Sequence, residues 1–228
     1  MPKSGTTSIA TMLAPVLRAR HEFEMDEAAY VRLLEQAGEM TRADVAAWLI
    51  ARDQRCNAEV DSTSFLWSWA DRLPALFPDA RFVATVRHPR DWCRSLAGML
   101  IAMGEVREEH LAWGRASGAD DMGSQPLEQP QAFLNAAMGY WRQAAQAIAG
   151  LPRDRTWWCR TEDLSTRADD LARWARVHPD WLRRAPANRA TVPADAVREA
   201  LADEWVDAAV GRGDEETWRE LDALADGS

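Results

Sequence analysis

The chain has 228 residues and a formal charge of −9, with 36 acidic side chains against 27 basic ones. That length suits one α/β domain spanning 1–228, and the acidic balance excludes a protein that coats nucleic acid, which needs a broad basic surface. Cys56, Cys93 and Cys159 are scattered and form no CxxC pair, so neither a disulfide framework nor a zinc knuckle is indicated. The most apolar runs, "RFVATV" and "GMLIAMG", are too short to cross a bilayer, and no charged start leads into an apolar signal core. The expectation is a soluble, cytoplasmic protein without a membrane partner, open to small anionic ligands.

The first predicted element is a helix opening out of the turn "PKSGTT", because Ile9, Met12, Leu13, Val16 and Leu17 recur at helical spacing, with Pro15 bending its last turn. The short segment "HEFE" follows. Two helical patterns come next, one started by Asp26 and ended near Gly38, the other started by Thr41. "NAEVD" reads as a strand, then a Trp-rich helical piece, and "RFVATVR" as a buried parallel strand, continuous in apolar character. Pro89 then opens a helix over "PRDWCRSLAGMLIAMG". Between 104 and 130 the pattern dissolves into Gly, Asp, Ser, Gln and Glu, which predicts a mobile loop with one helical turn around "EEHLAW". "QAFLNAAMGYWRQAAQAI" restores a helix, "TWWCRTEDL" is a late strand, and the remainder is helical and charged. Strands alternating with helices predict a mainly parallel sheet with helices on both faces, a three-layer α/β architecture.

Three stretches carry candidate chemistry. A tight Gly-containing turn leading into a helix offers unpaired N–H groups and the positive end of a dipole, which suits a phosphate. Gly5 permits close backbone approach, Ser4, Thr6 and Thr7 add hydroxyls, and Lys3 adds charge; the plainer alternative is a helix cap. In "VRHPRDWCRS", Arg87 stands at the carboxyl end of a strand and Ser95 one to two turns into the next helix, so a guanidinium and a hydroxyl can clamp a second anionic group. For bases, "RARHEFE" supplies His21, Glu22 and Glu24. Strand alternation sends His21 and Phe23 to one face and Glu22 and Glu24 to the other, so His21 is the first choice and Glu22 the second. Asp61, at the end of "NAEVD", is a further candidate for ordering an acceptor, or else an N-cap for the helix near Phe65. Lys3, Asp61, Arg87 and Glu162 all fall at or beyond carboxyl ends of predicted strands, where open parallel sheets bind ligands. The four histidines are scattered and HEFE lacks the HExxH spacing, so no metal site is expected.

Together, PKSGTT and RHPRDWCRS resemble the 5′-phosphosulfate loop and the 3′-phosphate motif of the PAPS-dependent sulfotransferases, whose P-loop-like fold binds 3′-phosphoadenosine 5′-phosphosulfate. "CRTEDL" is similar to a Glu-Asp-Leu stretch often found there. The resemblance implies that Lys3 contacts the phosphosulfate, that Ser4, Gly5, Thr6 and Thr7 hold the 5′-phosphate, and that Arg87 and Ser95 hold the 3′-phosphate. It implies transfer of the sulfuryl group to a hydroxyl or amine of a small-molecule or glycan acceptor, with adenosine 3′,5′-bisphosphate as product. His21, Glu22 or Asp61 would serve the acceptor side.

The chain departs from that pattern in two places. No strand precedes PKSGTT, so the reading predicts a reading frame starting upstream or a sheet that has lost its first strand. The family's late Arg-Lys-Gly segment has only Arg212 in "VGRGDEETW" as counterpart. Among the 12 tryptophans, Trp67, Trp69 and Trp92 are candidates to stack on adenine or an aromatic acceptor, most others belonging to the core. Two other readings stand beside this one. A P-loop kinase would use ATP and magnesium with Asp61 as metal ligand, although the Lys precedes the only Gly, unlike GxxxxGK[ST]. A non-catalytic interaction protein on a degraded enzyme scaffold would bind neither nucleotide.

Overall fold

A computed structural model describes residues 4–104, 112, 114–116, 126, 128–183 and 192–227. Lys3 and most of the 104–130 segment with its EEHLAW turn lie outside the described residues. Helix α1 (Thr6–Leu13) starts at Gly5, whose φ of 92° lies in the left-handed region that favours glycine. The helix stops ahead of Pro15, which has no N–H to donate. Strand β1 (Ala19–His21) follows, then α2 (Met25–Gln36) and α3 (Arg42–Cys56). Thr41 caps α3 as expected: its hydroxyl accepts from the Asp44 N–H, and the Asp44 carboxylate accepts from the Thr41 N–H at 2.9 Å. Strand β2 (Val60–Ser62) leads into a 3₁₀ segment (Ser64–Trp69) and α4 (Leu73–Leu76).

The second half repeats the alternation. Strand β3 (Phe82–Val86) feeds α5 (Pro89–Met103), and α6 (Pro130–Ala149) precedes β4 (Thr156–Arg160). Helices α7 (Ala168–Ala175), α8 (Ala194–Ala200), α9 (Asp203–Ala209) and α10 (Arg212–Asp226) complete the described chain. The four described strands form two separate parallel pairs. Ala19, Arg20 and His21 of β1 stand opposite Val60, Asp61 and Ser62 of β2, and Phe82 through Val86 of β3 oppose Thr156 through Arg160 of β4. The continuous sheet expected from the alternation is thus seen as two halves.

Both faces of the β3–β4 pair are covered, which is why these strands read as continuous apolar runs. On one face Trp157 and Cys159 pack with Ile9, Met12 and Leu13 of α1 and Leu171 and Ala172 of α7. On the other, Ala84, Val86 and Trp158 pack with Trp92 and Leu96 of α5 and Phe133, Ala137 and Trp141 of α6. Trp69, Trp92, Trp141 and Trp158 are all under 2% exposed. At about 25 cal/mol per Å² over roughly 150–250 Å², each such ring contributes on the order of 4–6 kcal/mol of transfer free energy.

The three candidate adenine-stacking rings are all engaged in packing. Trp92 is stacked on Tyr140, with centroids 5.7 Å apart and planes 9° apart, inside the core. Trp67 lies in the same core and donates its indole N–H to the Tyr140 hydroxyl at 2.8 Å. Trp69 packs against Phe65 and Trp48 and donates to Glu35 at 3.1 Å. Trp92 is committed to the core against α5 and α6 and Trp69 to the core against α2 and α3, whereas Trp67 also lines a cavity beside β2 and β3. Among the described residues no helix is long and apolar enough to cross a membrane.

Candidate functional site

Gly5 has the tightest surroundings of the described glycines. A Cβ built there falls 2.6 Å from Leu164 Cδ1, 3.5 Å from Thr161 Cγ2 and 3.9 Å from Thr85 Cγ2. The turn is therefore seated directly on the carboxyl end of β3 and on the turn after β4. Thr161 ties these together by donating its hydroxyl to the Val86 carbonyl at 3.0 Å. The first intrahelical bond of α1 runs from the Ile9 N–H to the Gly5 carbonyl, so the N–H groups of Thr6, Thr7 and Ser8 have no acceptor within the helix. Gly5 at the N-cap position has no side chain to cap them. Ser4 is fully buried and its Oγ has no hydrogen-bond partner among the described residues. An orphaned hydroxyl, uncapped amides and a glycine that tolerates no Cβ together fit an anion held by the turn.

Arg87 follows the last residue of β3 and Ser95 lies on α5; both are half-buried. Arg87 is two residues beyond Thr85, or about 6–7 Å along the chain at strand rise, so the Gly5 turn and the Arg87 junction sit at the same end of the parallel strands. The backbone at this junction is fixed from behind by the Trp141 indole, which donates to the Arg87 carbonyl at 3.2 Å. His88 and Arg90 are drawn to α9 and α10: His88 Nε2 stands 3.6 Å from Glu215, its ring meets Trp218 edge-on at 5.3 Å, and Arg90 pairs with Asp207 at 2.8 Å. Arg212 opens α10 one turn before Glu215, so that helix begins near the Arg87 junction.

The expectation that His21 and Glu22 face opposite ways is corrected. The strand ends at His21, and Glu22 takes a left-handed conformation with φ 53°, which breaks the alternation. Glu22 Oε1 consequently lies 3.3 Å from His21 Nε2, while its Oε2 accepts the Ser64 N–H at 3.0 Å. His21 Nε2 also stands 3.3 Å from the Thr6 hydroxyl and 3.1 Å from that of Thr7. The imidazole, the carboxylate and the turn hydroxyls form one cluster. Ser62 completes it by donating to the Thr6 carbonyl at 2.8 Å, tying α1 to the end of β2.

Glu24 is withdrawn from this cluster. It is bound by both Arg55 nitrogens at 2.8 and 2.7 Å, and that hydrogen-bonded pair holds its carboxyl below the ordinary glutamate range. Asp61 is engaged as well. Its carboxylate is bound by Arg52 and accepts from the Thr63 hydroxyl at 2.6 Å. Arg52 is only 2% exposed and also donates to Thr63 at 2.9 Å and to the Phe23 carbonyl. Thr63, not Asp61, occupies the N-cap position of the 3₁₀ segment. Glu162 lies in the turn Thr161–Asp163 beyond β4. Arg52 and Thr161 were missed in the sequence; Arg52 sits in the charged run "ARDQR", where nothing local marks it as buried.

A family model described as a sulfotransferase domain matches residues 1–192, which spans α1, every described strand and the Arg87 junction. No curated protein and no solved structure matches the chain. The family match and the mixed α/β fold with its small parallel pairs agree, and the match covers well over half of the sequence. The chain belongs to the sulfotransferase-domain family, transferases whose chemistry is sulfuryl transfer.

Proposed function

We propose that the protein transfers a sulfuryl group from 3′-phosphoadenosine 5′-phosphosulfate to a hydroxyl or amine of a small-molecule or glycan acceptor. The observation that carries this reading is the seating of the Gly5 turn against Thr85 and Thr161, beside the strand end that presents Arg87. The two β-pairs then belong to one three-layer, P-loop-like sheet with helices on both faces.

The nucleotide, when bound, supplies the activated sulfuryl group. The uncapped amides of Thr6, Thr7 and Ser8 and the hydroxyls of Ser4, Thr6 and Thr7 hold its 5′ end, with Lys3 adding a cation. Arg87 and Ser95 hold its 3′-phosphate, the guanidinium by paired N–H donors and the serine by one hydroxyl. Charge that develops on a departing oxygen is best met by donors already fixed in place, which the Gly5 turn provides without reorganisation. His21 takes the proton of the acceptor nucleophile, and Glu22, 3.3 Å from Nε2, stabilises the imidazolium that results. Asp61 orders this side indirectly, by holding Arg52 and Thr63 at the end of β2. The kinase reading is weaker for the same reason: Asp61 is already paired with a buried guanidinium.

Calorimetric titration with adenosine 3′,5′-bisphosphate in EDTA tests the reading, with Arg87→Ala and Ser95→Ala beside the parent chain. Binding by the parent and about a tenfold or greater loss in Arg87→Ala is expected, since a charge-assisted pair contributes roughly 1.5–3 kcal/mol. Binding of ATP with magnesium in preference to the bisphosphate would refute it. Incubation of labelled PAPS with panels of hydroxyl and amine acceptors then identifies the acceptor class.

A further inference from the structure

Three pairs of chain neighbours hold one another around the Arg87 junction. The Trp141 indole N–H bonds the Arg87 carbonyl at 3.2 Å, and the next residue of α6, Arg142, grips Asp214 of α10 with two nitrogens at 2.5 and 2.8 Å. Glu215 follows Asp214, and its Oε2 lies 3.6 Å from Nε2 of His88, the residue after Arg87. Arg87–His88, Asp214–Glu215 and Trp141–Arg142 thus form a closed ring in which every link is a peptide bond or a polar contact. The main chain at Arg87 is held from α6 at its carbonyl and from α10 through the imidazole beside it.

Each link has a local cause. Asp214 is almost fully buried, and the Arg142 pair and the Gly211 N–H, which donates to it at 2.8 Å, compensate its loss of water. His88 occupies the N-cap position of α5, where its Nδ1 accepts the Arg90 N–H at 3.3 Å. An accepting Nδ1 leaves the ring proton on Nε2, the nitrogen turned toward Glu215. The Trp218 ring, edge-on to the imidazole at 5.3 Å, limits its rotation. Glu215 Oε1 also lies 3.6 Å from Arg90, so one carboxylate spans the cap and the first turn of α5.

The grip continues along α5 toward Ser95. Arg90 and Arg94, one turn apart, pair with Asp207 at 2.8 Å and Asp203 at 2.7 Å, which are one turn apart in the reverse order. That order makes α5 and α9 antiparallel along this face. These pairs are partly exposed and individually weak, so the ring through buried Asp214 is the stiff part of the arrangement. Helices α8 to α10 lie beyond residue 192, where the family match ends.

We propose that Glu215 is a positioning residue for the 3′-phosphate subsite, fixing the main chain of Arg87 through His88 and thereby setting how well the protein distinguishes a nucleotide with a 3′-phosphate from one without it. This rests on the reading that Arg87 holds the 3′-phosphate. Glu215 acts through His88 and touches no ligand.

Calorimetric titration with adenosine 3′,5′-bisphosphate and with adenosine 5′-monophosphate gives a ratio of affinities that reports the 3′-phosphate alone. Glu215→Ala should lower this ratio about tenfold by weakening the bisphosphate, with monophosphate affinity as in the parent. Glu215→Gln keeps an oxygen for the His88 N–H but loses the charge facing Arg90, so a smaller fall of about threefold is expected. This second chain decides the matter if alanine prevents folding, and an unchanged ratio in it overturns the proposal. Asp222→Asn breaks the pair with Arg160 at 2.5 Å farther along the same helix and should leave the ratio unchanged. A merely structural role for Glu215 predicts that both nucleotides weaken together. A role as a bare negative charge predicts tighter bisphosphate binding in both Glu215 variants, since a like charge is removed. Either result overturns the proposal, as does an equal fall of the ratio in Asp222→Asn. A parent chain that binds the two nucleotides equally refutes the assignment of Arg87, and the proposal with it, before any substitution is made.

Discussion

Replacing Gly5 by alanine tests the seat of the turn that opens α1. Two costs add at this position. A residue with a Cβ at φ 92° pays roughly 1–2 kcal/mol for the left-handed conformation. The new methyl also falls 2.6 Å from Leu164 Cδ1, and crowding of this kind in a packed region costs about 1–3 kcal/mol. The expected loss is about 2–5 kcal/mol, which for a chain of this size lowers Tm by about 4–20 °C. Differential scanning calorimetry of Gly5→Ala, Leu164→Ala and the double variant reads both parts. Leu164→Ala alone is destabilising because it empties a site in the core around α1 and α7. In the double variant the crowding is gone and only the backbone cost remains, so the two substitutions should be less than additive by about 1–3 kcal/mol. Strict additivity, or a Gly5→Ala chain that melts with the parent, would falsify the close seating of the turn on the end of the sheet.

Other substitutions probe the supports of the site. Asp61→Ala leaves the Arg52 guanidinium buried without its carboxylate and should cost about 3–5 kcal/mol in urea denaturation, far more than a substitution at an exposed aspartate; a loss under about 1 kcal/mol refutes the buried pair. Glu35 has its carboxyl pushed up by burial, but bonds from Arg32, Arg72 and Trp69 more than offset this and hold it below the ordinary glutamate value of 4.5. Its folded-state pKa is depressed, so its contribution is present above about pH 4.5 and fades as pH falls through the folded value. The stability gap between the parent and Glu35→Gln should therefore shrink between pH 6 and pH 3 in urea melts, and a constant gap contradicts the sign. Burial pushes the Cys93 and Cys159 thiols up to about 12 and raises Cys56 as well. A disulfide reagent at pH 8 should label none of the three until denaturant is added, and rapid labelling of the folded chain shows the packing around them to be wrong.

What the sequence disclosed depended on how local each cause is. Thr41 and Asp44 start α3 through a reciprocal cap three residues apart, and "RFVATVR" is apolar on both faces because both faces are covered, so each was readable in a short window. The strand-then-helix pattern around Arg87 was legible in the same way, since β3 leads directly into α5. Three features were hidden because their causes are distant. The meeting of His21 and Glu22 depends on one left-handed residue and on a carboxylate anchored by the Ser64 amide from another segment. Arg52 looks like a surface charge until β2 brings Asp61 and Thr63 beside it. Trp67, Trp69 and Trp92 looked available to a ligand because nothing in their neighbourhood reveals that α5 and α6 pack around Trp67 and Trp92 and that α2 and α3 pack around Trp69.

The β3–β4 pairing joins segments that have α5 and α6 between them in the chain, and a parallel pair of this kind forms only after that long excursion has closed. As the polypeptide leaves the ribosome, "FVATV" must wait for "TWWCR" to be synthesised. During that interval a five-residue uncharged stretch of strong strand formers has no partner. Slow translation between the two segments should thus favour aggregation of nascent chains, and the yield of folded protein is governed by the time that separates the synthesis of β3 from that of β4 more than by the stability of the finished molecule.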